Sequence, residues 1–341
     1  MLLHWFNNCL NFAQMRELRI YIQPHKIVCS LVTRSFKTGF KWQLQHREVI
    51  AVDATNHLNE KLNGNSQTHF LINTLETVLQ SATWQHLAIK NLAAKIVLSQ
   101  HFVHYLAMPW REDISNNAEQ QAYLKHNFSR AFGEHAADWH LSSSQAAFGQ
   151  AALASGVSQA LLSALKKQCQ QAGMRLIGVY PQLTMVMNHV FSELNLNQTT
   201  APFWLAAFES GRACLVFIAQ GEVRSVKNVL LESDPLQQIN TLIMRETILH
   251  QLVEPIASDL AIVMVNPPFT SQSIAHIQPP IKLIYSASNH QQMQHSAFFG
   301  FEHSQNEMQI STVTTRLATQ AFTTASLSAV DLNQEDKRVA A

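Results

Sequence analysis

Residues 202–231 read PFWLAAFESGRACLVFIAQGEVRSVKNVLL. The spacing predicts three strands in a row. The first, 203–208, ends at the turn Glu209-Ser210-Gly211-Arg212. The second, 213–219, is apolar at successive positions, so both of its faces are expected to be buried. Gln220-Gly221-Glu222 is a short turn in which glycine supplies a positive φ. The third strand, 223–231, alternates apolar with polar residues. Three strands joined by two tight turns make a β-meander.

Working outward, Asp234-Pro235 opens a long helix, with Asp as cap and Pro at the first helical position. Its apolar residues keep helical spacing to about Leu252. A buried-type strand over 260–265 ends at Asn266-Pro267-Pro268, and a further strand is expected at 281–285. A short helical piece is expected at 296–299. From Met308 the chain is rich in Thr, Ala, Ser and Gln, and disorder is expected from 331 onward.

The first half repeats the scheme. Strands are expected at 18–22 and 26–33, around the turn Gln23-Pro24-His25, and again at 40–52. Residues 53–68 are polar and read as a loop. Helical spacing returns over 70–82. Strands follow at 94–98 and 101–108, the latter ending at Pro109-Trp110. A helix spans 117–132 with Gly133 as its stop. Strands at 139–143 and 146–153 precede a helix over 158–172, a strand over 174–180, and a helix that Pro181 opens at 182–194. Each half holds a meander followed by helix and strand, the pattern of two related α/β domains. The expected division is an N-terminal extension 1–17, a first domain 18–172, a second domain 173–330 and a tail 331–341.

The chain has 341 residues, 47 % hydrophobic and 14 % charged, with a formal net charge of +1. It has ample core and a weakly charged surface. Its Lys and Arg are scattered, so the sequence shows no basic stripe for nucleic acid or an anionic membrane. Cys9, Cys29, Cys169 and Cys214 lie far apart and form no metal-type or CxxC pattern, which reads as free thiols in a reducing compartment. No run reaches the roughly 18–20 apolar residues of a membrane span. The start, MLLHWFNNCLNFAQMRE, lacks a basic leader and a small-residue cleavage site. An amphipathic docking helix and a start assigned too early both fit it.

Three stretches together resemble the actin-like platform proteins of type IV pilus and type II secretion machines: the PilM type, the MSHA-biogenesis type and the cytoplasmic part of the GspL type. They are VLSQHFVHYLAMPW at 97–110, with Gln120-Gln121-Ala122-Tyr123 and Phe132-Gly133 after it; GMRLIGVYPQLTMVMN at 173–188; and the stretch 203–229 quoted above. The likeness covers about 18–287 and lies in their order and spacing. It implies an α/β, two-lobed actin-like (ribonuclease H-like) fold with mixed sheets flanked by helices. It also implies a cytoplasmic scaffold, peripheral to the inner membrane through a PilN-like or GspM-like partner whose short N-terminal tail it holds.

In actin-like ATPases the first turn of such a meander binds phosphate, and it carries an acid together with several Gly or Thr. This chain keeps Glu209 and Gly211 but has Ser210 and Arg212 where more Gly or Thr is expected. These four are the residues that would meet a nucleotide. The turn of the first hairpin, Gln23-Pro24-His25, has no acid to hold Mg²⁺ through water, and Pro24 removes a backbone donor. Asn266-Pro267-Pro268 stands where paired glycines would let adenosine approach. No cofactor is therefore expected, and a nucleotide-binding ATPase using Mg-ATP is the alternative reading. Met108 and Trp110, at the end of a strand, are candidates for one wall of a peptide groove, against a plain core role.

Other chemistry reads as ordinary structure. The 17 histidines show no metal-ligand set. His101 and His104, at offset three in an expected strand, point to opposite faces. Ser142-Ser143-Ser144 and Ser210 lack the GxSxG setting of a nucleophile. A sugar-kinase reading would need an Asp near the crossover, and 173–208 contains none.

Overall fold

Met15–Ile22 (β1) and Lys26–Arg34 (β2) form an antiparallel hairpin in which Ile22 faces Ile27 and Met15 faces Arg34. Gln43–Ala51 (β3) adds antiparallel to β2. The chain then forms two helices, Gly64–Leu79 (α1) and Ala82–His86 (α2), and returns as Ala93–Leu98 (β4), parallel to β1. Alternation explains the packing. Leu18, Ile20, Ile22, Ile27, Cys29 and Leu31 share one buried cluster with Leu71, Leu75 and Val78 of α1. The computed structural model describes residues 15–34, 42–52, 64–114, 116–144, 149–193, 202–249, 261–265 and 282–283.

A small antiparallel sheet follows, ordered β5-β7-β6, from Val103–Met108 (β5), Trp139–Ser143 (β6) and Ala152–Ser158 (β7). Between β5 and β6 runs Asn117–Phe132 (α3). Its cap residue Asn116 accepts the Glu119 N–H at 3.0 Å, and Gly133 ends it at φ +74°. The sequence placed one strand at 146–153, but the strand here is β7. Its Gly156 is a strand residue on which side chains rest. A Cβ there would stand 2.9 Å from both Phe128 and Trp139.

Gln159–Gln171 (α4), capped by the Ser158 hydroxyl, leads to Arg175–Pro181 (β8) and then Gln182–Glu193 (α5). β8 pairs parallel with β4, Ala93 opposite Arg175, and completes a five-stranded sheet ordered β3-β2-β1-β4-β8. A division at 172/173 would cut this sheet, because β8 belongs with the strands before it. The extension drawn at 1–17 likewise overlaps β1, where Glu17 is buried and paired with Arg19 at 2.7 Å and Lys95 at 2.9 Å. The polar stretch 53–68 was read as loop, and α1 starts within it, at Gly64. Its first turn is polar and carries no apolar period.

The second lobe is the meander Phe203–Glu209 (β9), Arg212–Ala219 (β10) and Glu222–Leu230 (β11), then Pro235–Leu249 (α6), Ala261–Val265 (β12) and Lys282–Leu283 (β13). Its sheet is ordered β11-β10-β9-β12-β13, with β12 parallel to both β9 and β13. Gln220 and Gly221 both take positive φ, +55° and +76°, as a two-residue hairpin turn requires. Asp234 caps α6 through the Gln237 N–H at 3.0 Å. The core of the first lobe continues into the second through Phe203, Leu205, Ala207, Cys214, Val216 and Val265. Residues 1–14, the 266–268 turn, the helical piece at 296–299 and the tail from 331 lie outside the described residues.

Candidate functional site between the lobes

Four chain segments converge on one carboxylate. Glu209 closes β9, and its side chain is 2 % exposed. From the first hairpin, Tyr21 Oη donates to Glu209 Oε1 at 2.5 Å, and Gln23 Nε2 donates to the same oxygen at 3.0 Å and to Tyr21 Oη at 2.9 Å. From the turn after β4, the Gln100 N–H donates to Oε2 at 2.9 Å. His101 Nδ1 stands 3.7 Å from Oε2 and 2.9 Å from Ser99 Oγ. From the start of α5, Gln182 donates to both carboxylate oxygens, at 3.2 and 3.0 Å, once its amide is turned to suit the network.

Two further links brace the same junction. Gln100 Nε2 donates to the Ala207 carbonyl at 3.2 Å, and Asn228 Nδ2 donates to the Gln100 carbonyl at 2.7 Å. Burial alone would raise the Glu209 pKa. Bonds from His101, Tyr21, Ser99 and Gln100 outweigh it and hold the carboxyl below its usual range. Tyr21 is pushed the other way, by burial and then by the Glu209 charge, so it remains a neutral donor.

A carboxylate offers roughly four lone-pair sites. Those of Glu209 are taken by the protein itself. To hold the water shell of Mg²⁺ it would have to give up several charge-assisted bonds, each contributing about 1.5–3 kcal/mol. The other members of the turn point elsewhere. Ser210 and Gly211 sit exposed at its tip, and Gly211 (φ +73°) has open space around it. The Arg212 charge lies near His104, where it adds to burial in lowering that imidazole's pKa. The structure therefore gathers Glu209 with Tyr21, Gln23, Gln100, His101 and Gln182, and leaves Ser210 and Gly211 outside the group.

Both sheets run meander first, then two parallel strands, and they stand side by side. The arrangement is that of two α/β lobes of matching strand order. Among solved structures, the chain is similar to a protein of actin-like ATPase fold and unknown function from Bacteroides thetaiotaomicron (8 % identity, 77 % of this chain and 86 % of that one, TM-score 0.49). It is also similar to the cytoplasmic domain of EpsL, an inner-membrane component of the type II secretion system of Vibrio cholerae (10 %, 85 % and 96 %, TM-score 0.48). A PilM-PilN type IV pilus biogenesis complex is a third (10 %, 73 % and 81 %, TM-score 0.49). No family model and no curated protein matches the chain. These identities are too low to carry a residue across.

His101 and His104 do not share a strand: His101 precedes β5 and turns to Glu209, while His104 stacks on Trp139 with ring centroids 4.0 Å apart. Among the described residues no group of three or more His, Cys, Asp or Glu could hold a metal. No described helix is long and apolar enough to cross a membrane. Of the groove candidates, Trp110 is 39 % exposed, while Met108 is 4 % exposed and packs with Leu124, Phe128 and Leu141. Sequence reasoning missed Tyr21, Gln100 and Gln182 because nothing marks them locally. Gln23 was the one available signal: an amide at the turn where an acid would bind metal.

Proposed function

We propose that this chain is a non-catalytic platform protein of a type IV pilus or a related secretion machine. It holds the cytoplasmic N-terminal tail of a PilN-like inner-membrane protein and lies beneath the membrane through that partner. The observation that carries the reading is the commitment of Glu209 to Tyr21, Gln23, Gln100 and Gln182 across the two lobes. The turn that binds phosphate in an ATPase serves here as a fastening between lobes. The order of the motifs in the sequence supports the platform role, and Trp110 offers an exposed aromatic anchor for a peptide.

Thermal unfolding with and without millimolar Mg-ATP tests the non-catalytic half. A nucleotide present at 100 times its dissociation constant stabilises by about 2.7 kcal/mol. No shift is expected, and a clear rise in Tm would favour the ATPase reading. The partner half is tested by calorimetry with a synthetic peptide of the cytoplasmic N-terminus of the bitopic protein encoded beside this one. Binding is expected, and no heat at about 100 μM peptide overturns it.

A further inference from the structure

Beside the Glu209 junction lie three polar atoms that the protein itself leaves unpaired. Gln100 is 1 % and Tyr105 5 % exposed, and Asn228 is half-buried. Gln100 Oε1, Asn228 Oδ1 and Tyr105 Oη are all buried, and none meets a hydrogen-bond partner among the described residues. A buried polar atom without a partner is costly and rare, so three in one neighbourhood call for an explanation.

Turning the amides does not supply one. Gln100 Nε2 donates to the Ala207 carbonyl at 3.2 Å, which fixes Oε1 as an acceptor. Asn228 Nδ2 donates to the Gln100 carbonyl at 2.7 Å and to the Val103 carbonyl at 3.4 Å, which fixes Oδ1 in the same way. Swapping either amide would set two oxygens against each other. Register brings the three groups together. Cys214 stands opposite Ala207 on one side and Asn228 on the other, so these residues form a row across β9, β10 and β11 on the face toward the first lobe. Gln100 is bonded to both ends of that row. Tyr105 follows Val103 on the same face of β5. Burial first, and then the charge of a Cys214 thiolate, raise its pKa, which sets the hydroxyl near the middle of the row. The Leu183 N–H approaches this hydroxyl from α5 without completing a hydrogen bond.

We propose that this spot binds one ordered water molecule. Its two hydrogens go to Gln100 Oε1 and Asn228 Oδ1, and its oxygen accepts from the Tyr105 hydroxyl. Two fixed acceptors and one donor match the roughly three bonds of a typical buried water. An alkali cation could take the two amide oxygens but would offer the Tyr105 proton no acceptor. Ala207 and Cys214 carry only small side chains beneath it. The water ties the turn after β4 and strand β5 to β11, a second fastening between the lobes beside that of Glu209. It does not depend on the platform reading.

A high-resolution crystal structure of the full chain tests it. One water is expected within about 2.7–3.2 Å of both amide oxygens and of the hydroxyl. A dry contact, a protein donor reaching either oxygen, or an alkali ion in that place would overturn the proposal. Tyr105→Phe adds a check in solution whose sign decides. With the water bound, the variant strips it of a donor, and Tm should fall. Loss of a hydroxyl that has no partner would instead leave Tm unchanged or raise it, and either result would overturn the proposal as well.

Discussion

The Tyr21 hydroxyl donates to Glu209 across 188 residues of sequence, joining the first strand of one lobe to the first strand of the other at 2.5 Å. The bond lies inside the junction and is flanked by Gln23 and Gln100. Tyr21→Phe removes one donor from a buried charge and is expected to destabilise by about 1.5–3 kcal/mol in urea unfolding. Glu209→Gln should cost a similar amount. In the double variant the two losses should overlap by about 1 kcal/mol or more, since the residues share one network. Strictly additive losses would mean that the contact carries no energy.

Glu209 also sets a pH dependence. Its carboxyl is held below the ordinary value of 4.5 in the folded chain, so the unfolded chain takes up the proton first as pH falls. The stabilisation is whole above pH 4.5 and is lost as pH drops through the depressed value. The stability gap between wild type and Glu209→Gln should therefore be constant from pH 7 to about 5 and narrow below that. A gap that stays level down to pH 3 would remove the charge from the account.

Gly156 is expected to be intolerant of any side chain. An added Cβ meets Phe128 and Trp139 at 2.9 Å and Leu141 at 3.0 Å, and these side chains fill the core of the small sheet. Gly156→Ala should destabilise by about 1–3 kcal/mol, the usual cost of overpacking. The change should appear in the near-ultraviolet signal of Trp139, which stacks on His104.

These residues also show what could be read from the sequence. The β9–β10–β11 meander and α3 were legible because each carries its own period and its own stop, Gly211 and Gly221 in one case and Gly133 in the other. The place of β8 was not, because strand 175–181 looks the same locally whether it joins the sheet before it or the one after. Gly156 carried no signal at all: its role is set by the aromatics packed over it and by no neighbour in sequence. The junction needs tertiary structure altogether. Tyr21, Gln100, Gln182 and Glu209 lie on different elements, and none is an unusual residue where it stands.

Trp110 and Met108 adjoin in sequence but should separate in experiment. Met108 is buried against Leu124, Phe128 and Leu141, so Met108→Ala is expected to cost about 2–5 kcal/mol of stability. Trp110 is 39 % exposed at the end of β5, and its replacement by Ala should change stability by no more than about 1 kcal/mol. If Trp110 anchors the partner tail, that small change should come with a loss of 2 kcal/mol or more in peptide binding, about thirtyfold in Kd. The comparison separates a binding role from a packing role, since a packing residue would lose stability and affinity together. Calorimetry of Trp110→Ala showing wild-type affinity would move the groove away from this strand.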